Sequence, residues 1–246
     1  MEIFIVTVNT KSLKICSAQA IGSITISLHK IFGVDPGIVQ NNIARPDNKI
    51  KTGNRFGYDY SINYNRTEVW TQTEYNLKSF DFYCAINSTY NQIWREGFWA
   101  NGKFPFTSKG GSRIMNFFNY GIKSGLTYKI SGRNFVTGNL MYATRAPEAN
   151  NIFVSQRSRN DLVSNIKSEE VISGDVNYYA KYPDFKLRIT YYYTQINNQI
   201  WLKTYWHENY NTSVDLIMKG VNQNHQGVEI GLEKNIFTSH TVQGAI

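Results

Sequence analysis

Cysteine is almost absent from this chain. Cys16 and Cys84 are the only two, too few for a disulfide scaffold and too isolated for a thiolate metal site. Five prolines in 246 residues exclude collagen-like and proline-rich architectures. Charged side chains are only 18% of the chain, against roughly 25% in ordinary soluble domains. Long apolar runs are missing as well. The run Ile3–Val6 falls far short of the ~18 residues of a transmembrane helix. The start is not expected to act as a secretory signal, since Glu2 stands where a basic region is needed and Thr7 and Asn9 interrupt the apolar core.

Catalytic signatures are equally scarce. His29, His207, His225 and His240 are scattered, with no pair at metal-ligand spacing, and His207-Glu208 reads as a loop pair. No phosphate loop, dinucleotide fingerprint or nucleophile elbow occurs. Three Asn-x-Ser/Thr triplets, beginning at Asn65, Asn87 and Asn211, are what chance supplies in a chain with 27 asparagines. An enzyme is not expected, nor a metal or cofactor site.

What is abundant is aromatic: 17 Tyr, 14 Phe and 5 Trp, with 18 Gly. That content rules out disorder and points to β structure. The net charge is +8 and the pI about 9.3, which raises the question of an anionic partner. The cations are dispersed with no run of three, so nucleic acid is not expected.

Period-two alternation is sustained from about Tyr58 onward. Over Asn119–Ile130 one face carries Tyr120, Ile122, Leu126 and Tyr128, and the other Lys123, Gly125, Thr127 and Lys129. Asn134–Arg145 presents Val136, Gly138, Leu140 and Tyr142. Ile172, Val176 and Tyr178 repeat the theme, then Leu187, Ile189, Tyr191 and Tyr193, then Val228, Ile230 and Leu232. The strand charges Lys123, Lys129, Asp175, Lys186, Arg188, Glu229 and Glu233 all fall on the polar side.

These runs reach ten residues or more, while ordinary strands hold about five or six and transmembrane strands about 9–11. Connections alternate in length. Short turns are expected at Lys78-Ser79, Ser131–Arg133, Pro183-Asp184 and Ile236–Thr238, and long polar loops at Asn91–Phe118, Ala146–Ser168 and Ile200–Asn224. The pattern is that of an antiparallel transmembrane β-barrel of the outer-membrane type, with roughly nine strands, short periplasmic turns and long extracellular loops. Phe56–Tyr64 also alternates, but the whole of Gly33–Arg66 is read as part of one long external loop leading into Val69–Leu77, because a strand there would put the short link Asn65–Glu68 on the long-loop side. Ile21–Phe32 is a further possible strand.

Several stretches resemble TonB-dependent outer-membrane receptors of the Bacteroidetes type. They are Tyr142-Ala143-Thr144-Arg145-Ala146-Pro147-Glu148-Ala149 with Asn151-Ile152-Phe153, Gly125–Asn134, Ser168–Val171, Tyr191–Thr194 and Gly220–Glu229. Together, in order over about 57–246, they form the basis of the resemblance.

The resemblance implies a partial C-terminal barrel region over 57–246, after a poorly assigned region over 1–56. It implies part of a plugged barrel of about 22 strands. The plug, TonB box, signal peptide and closing strand are expected to lie outside this chain. The implied partners are outer-membrane lipid, the TonB energy-coupling system and a small ligand: an iron chelate, cobalamin, an oligosaccharide or a peptide. Lys123, Lys129, Asp175, Lys186, Arg188, Glu229 and Glu233 are lumen candidates. Trp94, Trp99, Tyr205 and Trp206 are loop candidates for ligand contact. Two alternatives predict different folds: a soluble β-sandwich carbohydrate-binding module, and a small porin-like barrel closed by these strands alone.

Overall fold

The computed structural model describes residues 2–5, 42–45, 55, 58–102, 104–210, 212–237 and 240–245. Ten strands occupy most of them: β1 (Glu2–Ile5), β2 (Tyr60–Asn76), β3 (Phe80–Gly97), β4 (Gly110–Gly111), β5 (Met115–Lys129), β6 (Asn134–Arg145), β7 (Glu169–Tyr182), β8 (Phe185–His207), β9 (Thr212–Phe237) and β10 (His240–Ala245). All lie in one antiparallel sheet of order β1-β2-β3-β5-β6-β7-β8-β9-β10, with β4 pairing the end of β3. No second sheet packs on it among the described residues, which removes the sandwich. Nor do β1 and β10 pair there, so the sheet is not the small closed barrel of the other alternative.

Three of the short turns fall where the sequence places them; of the fourth, Ile236 still belongs to β9 and Thr238 lies outside the described residues. Leu77 N–H donates to Phe80 O (2.7 Å) around Lys78-Ser79. Ser131 Oγ accepts from the N–H groups of Arg133 (3.3 Å) and Asn134 (3.2 Å). Pro183-Asp184 joins the paired ends Tyr182 and Phe185. The loop over 146–168 also lies as expected, between β6 and β7.

Three expectations are corrected. Residues 60–64 are not loop: β2 runs unbroken to Asn76, and its polar stretch pairs residue for residue with β3 (Asn65 with Gln92, Arg66 with Asn91). Both strands are polar here, and side-chain hydrogen bonds tie them across: Tyr64 hydroxyl donates to Asn91 Oδ1 (2.5 Å) and Asn87 Nδ2 to Glu68 Oε1 (3.3 Å). Asn91–Phe118 shrinks to 98–114, because β3 continues to Gly97 and β5 begins at Met115. Ile200–Asn224 is mostly ladder, since β8 and β9 stay paired to His207 and Thr212. The sequence also offered no partner for the N-terminal apolar run, which pairs as β1 with Trp70–Thr73. Ile21–Phe32 and Phe56 lie outside the described residues.

Register alone sorts the side chains. Directly paired residues share a face. Phe82, Leu126, Gly138 and Val176 therefore lie in one row, and Tyr83, Gly125, Asn139, Asp175, Tyr192 and Gly227 in the adjacent row on the other side. The first face is apolar and open to the surroundings: Leu140 is 69% exposed, with Ile86, Ile122, Ile172, Val176, Ile189, Val228 and Ile230 also exposed. Aromatics border it, Phe80 and Tyr128 at the short-turn end and Tyr90, Phe118 and Tyr120 toward the long loops.

Candidate functional site: the polar face and the cleft at its long-loop end

The second face is a hydrogen-bonded surface. Tyr83 hydroxyl donates to Asn139 Oδ1 (3.0 Å), reaching across the intervening strand β5 at Gly125. A Cβ there would sit 2.2 Å from Tyr83 Cε1 and 2.4 Å from Asn139 Oδ1, so only glycine leaves the path open. Asn139 Nδ2 donates to Asp175 Oδ1 (2.8 Å), which also accepts from Asn177 Nδ2. Asn177 Oδ1 in turn accepts from Thr190 Oγ1 (2.7 Å) and from Arg188 (3.3 Å). Asn177 and Thr190 are buried, and each has its partner, as buried polar groups require.

Lys123, Lys129, Asp175, Lys186, Arg188, Glu229 and Glu233 all stand on this face by register. Lys129 pairs with Asp81 (2.6 Å) and Lys186 with Glu233 (2.8 Å). Lys123 lies 5.9 Å from the Tyr83 ring centre, and Arg188 lies 5.6 Å from that of Tyr179. The seven are spread over the face and do not converge on a point.

Toward the long loops the same face is covered. The loop after β6 places Ile152 and Phe153 against Tyr60, Ile62, Ile93 and Phe117, and both are fully buried. It folds back on itself through Val154 N–H to Asp161 O (3.0 Å) and Val163 N–H to Ile152 O (2.8 Å). Arg95, five residues beyond Tyr90, holds this loop and the β3–β5 loop together. Its guanidinium donates to Gln156 O (2.7 Å), Ser108 O (2.9 Å) and Asn160 Oδ1, and lies 5.1 Å from the Tyr60 ring centre. Burial pushes Arg95 down to about 10, and Tyr60 acts weakly in the opposite direction, so it stays cationic at neutral pH. Gly97 allows this packing, because a Cβ would meet Ser108 O at 1.8 Å.

Beneath residues 146–151 a cleft of about 640 Å³ opens on the polar face. The Arg145–Glu169 ion pair (2.6 Å) and Tyr64 line it, with Gln199 and Trp201 from β8. Asn151 Nδ2 donates to Ile200 O (2.8 Å), tying the roof to β8. Glu169 is buried, and Gln199 Oε1 is a buried acceptor with no partner. Sequence reasoning missed this cleft. Its residues come from four separated segments, and Arg145 and Glu169 meet only through the β6–β7 register.

The four loop candidates separate. Trp94 lies within β3, opposite Asn63 of β2, on the same face as Phe82 and Ile86; it is not in a loop. Trp99 is in the β3–β5 loop and half-buried. Tyr205 and Trp206 are exposed, at the paired tip of the β8–β9 hairpin. None of the four lines the cleft; the tryptophan that does is Trp201. No group of three or more metal-ligating side chains occurs among the described residues.

No protein-family model and no curated protein matches the chain. Solved structures do. The copper transporter OprC is similar at TM-score 0.58 and 10% identity, over 75% of this chain and 28% of that one. The FrpB iron transporter from Neisseria meningitidis gives 0.55 and 12%, over 77% and 26%. The ferric-catecholate import receptor Fiu from E. coli K12 gives 0.53 and 14%, over 81% and 30%. The chain thus spans less than a third of the length of each. At such identities the likeness is one of fold: this sheet is built as a stretch of the wall of an outer-membrane β-barrel.

Proposed function

We propose that the chain is part of an outer-membrane receptor for active, TonB-dependent uptake of a small ligand. One observation carries the reading: a single-layer sheet with an exposed, uncharged, aromatic-bordered face on one side and a hydrogen-bonded polar face on the other. Phe80 to Tyr90 on β3 is eleven residues, ten steps of ~3.3 Å or about 33 Å of strand. Tilted by ~40°, it stands roughly 25 Å tall, the height of the apolar band of outer-membrane barrels. Lipid against this face removes from water side chains worth about 1.5–3 kcal/mol each.

On this reading the polar face lines the lumen. Lys123, Lys129, Asp175, Lys186, Arg188, Glu229 and Glu233 form wall charge, and the covered end with Trp99, Tyr205 and Trp206 faces the outside. That the similar proteins are named as a copper transporter, an iron transporter and a ferric-catecholate import receptor supports uptake as the class of function. Energy coupling would act through parts of the receptor other than this wall.

Membrane fractionation with a heat-modifiability assay tests the proposal. The full chain should pellet with outer membranes, resist extraction by carbonate, and migrate faster on a denaturing gel before boiling than after. Recovery as a soluble, detergent-free monomer would overturn it.

A further inference from the structure

The cleft beneath residues 146–151 has a chemistry of its own, and its interpretation rests on the receptor reading above. Its volume lies within the ~300–1,000 Å³ of small-ligand sites. Arg145 is its cation, and Glu169 neutralises it at 2.6 Å. Glu148 adds a further negative charge at the rim. An anionic chelate would therefore meet no free positive charge and one repulsive carboxylate. The lining is two-sided. Pro147 and its alanine neighbours, with the rings of Tyr64 and Trp201, supply flat apolar surface, while the ion pair and Gln199 supply donors and acceptors. Gln199 Oε1 is buried without a partner, and a buried acceptor left unpaired costs about 1–3 kcal/mol. Gln199 itself lines the cleft, so turning its amide about the last side-chain bond would aim that acceptor at a ligand hydroxyl.

A molecule with an apolar ring face and a rim of hydroxyls complements such a lining, and it carries no charge to be desolvated. We infer that the cleft binds a neutral carbohydrate, its ring against Tyr64 or Trp201 and its hydroxyls on Gln199 and the Arg145–Glu169 pair. The closed loop above supports a preformed site, since Ile152 and Phe153 anchor its roof and Asn151 ties it to β8.

The test is titration calorimetry of the full chain in detergent micelles, and in outer-membrane vesicles that need no refolding. Maltose, cellobiose and maltotriose are the probes, with citrate and choline as anionic and cationic comparators. At least one sugar should bind saturably. Trp201→Ala and Glu169→Gln should each weaken it tenfold or more, while Lys78→Gln, in the short turn between β2 and β3, should leave it within twofold. Strand content by circular dichroism shows that each variant is folded, and Gln199→Ala adds a variant that disturbs no ion pair. Binding of citrate or choline with no sugar binding would overturn the inference, as would sugar binding indifferent to Trp201, Glu169 and Gln199. If the sugars fail while the chain still pellets with outer membranes, the carbohydrate assignment alone falls. If a soluble chain binds them, the receptor reading falls instead.

Discussion

Tyr83 and Asn139 are hydrogen-bonded at 3.0 Å although a whole strand lies between theirs, and Gly125 is the reason. The tyrosine lies flat over the glycine, closing the gap that the missing side chain leaves in the polar face. Gly227 stands in the same relation to Tyr192, whose hydroxyl would be 2.8 Å from an added Cβ.

Gly125→Ala should therefore cost about 1–3 kcal/mol through overpacking and loss of the Tyr83–Asn139 bond. Tyr83→Ala in the same chain should recover part of that loss, because the clash partner is gone. A double-mutant cycle on urea unfolding in detergent micelles measures both; additive effects would show that the contact is not what constrains Gly125.

Charge on the apolar face should be penalised by depth. Leu140→Arg, near the middle of the band, should lower stability by about 2–4 kcal/mol, and Tyr90→Arg at its border by about 0–1. Equal effects at the two positions in a lipid-bilayer folding titration would contradict the lipid-facing assignment.

The alternation that makes the two faces was legible in sequence because its period is two and each strand is long. The loops were less so. Residues 60–64 alternate, yet the short polar link at 65–68 would sit on the long-loop side and so argues for loop; that link is itself strand, paired with Thr89–Gln92. Residues 200–207 carry Ile200, Trp201, Leu202, Tyr205 and Trp206 on both faces, with no period-two alternation to mark a strand. Ladders beyond the apolar band keep their backbone pairing without an apolar stripe, so composition carries little sign of them. The candidate cleft was illegible for a different reason. Tyr64, Arg145, Glu169 and Gln199 are separated by 81, 24 and 30 positions, and only strand register unites them.

Arg95 joins two loops, and its loss should loosen both without disturbing the wall. Arg95→Met removes the donors to Gln156, Ser108 and Asn160 while retaining much of the stem's packing. Hydrogen bonds from a charged group are worth about 1.5–3 kcal/mol each. Limited proteolysis should cut within 98–114 and 146–168 at least tenfold faster, with strand content by circular dichroism unchanged. Gly97→Ala should do the same through the clash with Ser108 O.

Surface ion pairs on the polar face should matter little to stability. Lys186→Gln breaks the pair with Glu233, in which the lysine side chain is 57% exposed, and should shift unfolding by less than about 1 kcal/mol. A larger loss would mean that a water-excluded environment surrounds this end of the wall.

The β8–β9 hairpin holds its register through two offset bulges. Asn197-Asn198 supplies one extra residue on β8, with Asn198 at φ 61°, and Gly220 supplies one on β9 at φ 69°. Each alone would slip the ladder by one; together they cancel, so Ile196–Gln223 and Ile200–Lys219 obey the same register. Deleting Asn198 would remove only the first bulge: Asn197 would then face Asn222, while Gln199–Val221 and every pair from Ile200 to His207 keep their partners, with the extra residue on β9 still taken up at Gly220. The stem of the hairpin thus absorbs the gain or loss of one residue on either strand, and the surface its tip presents is buffered against changes in length beneath it.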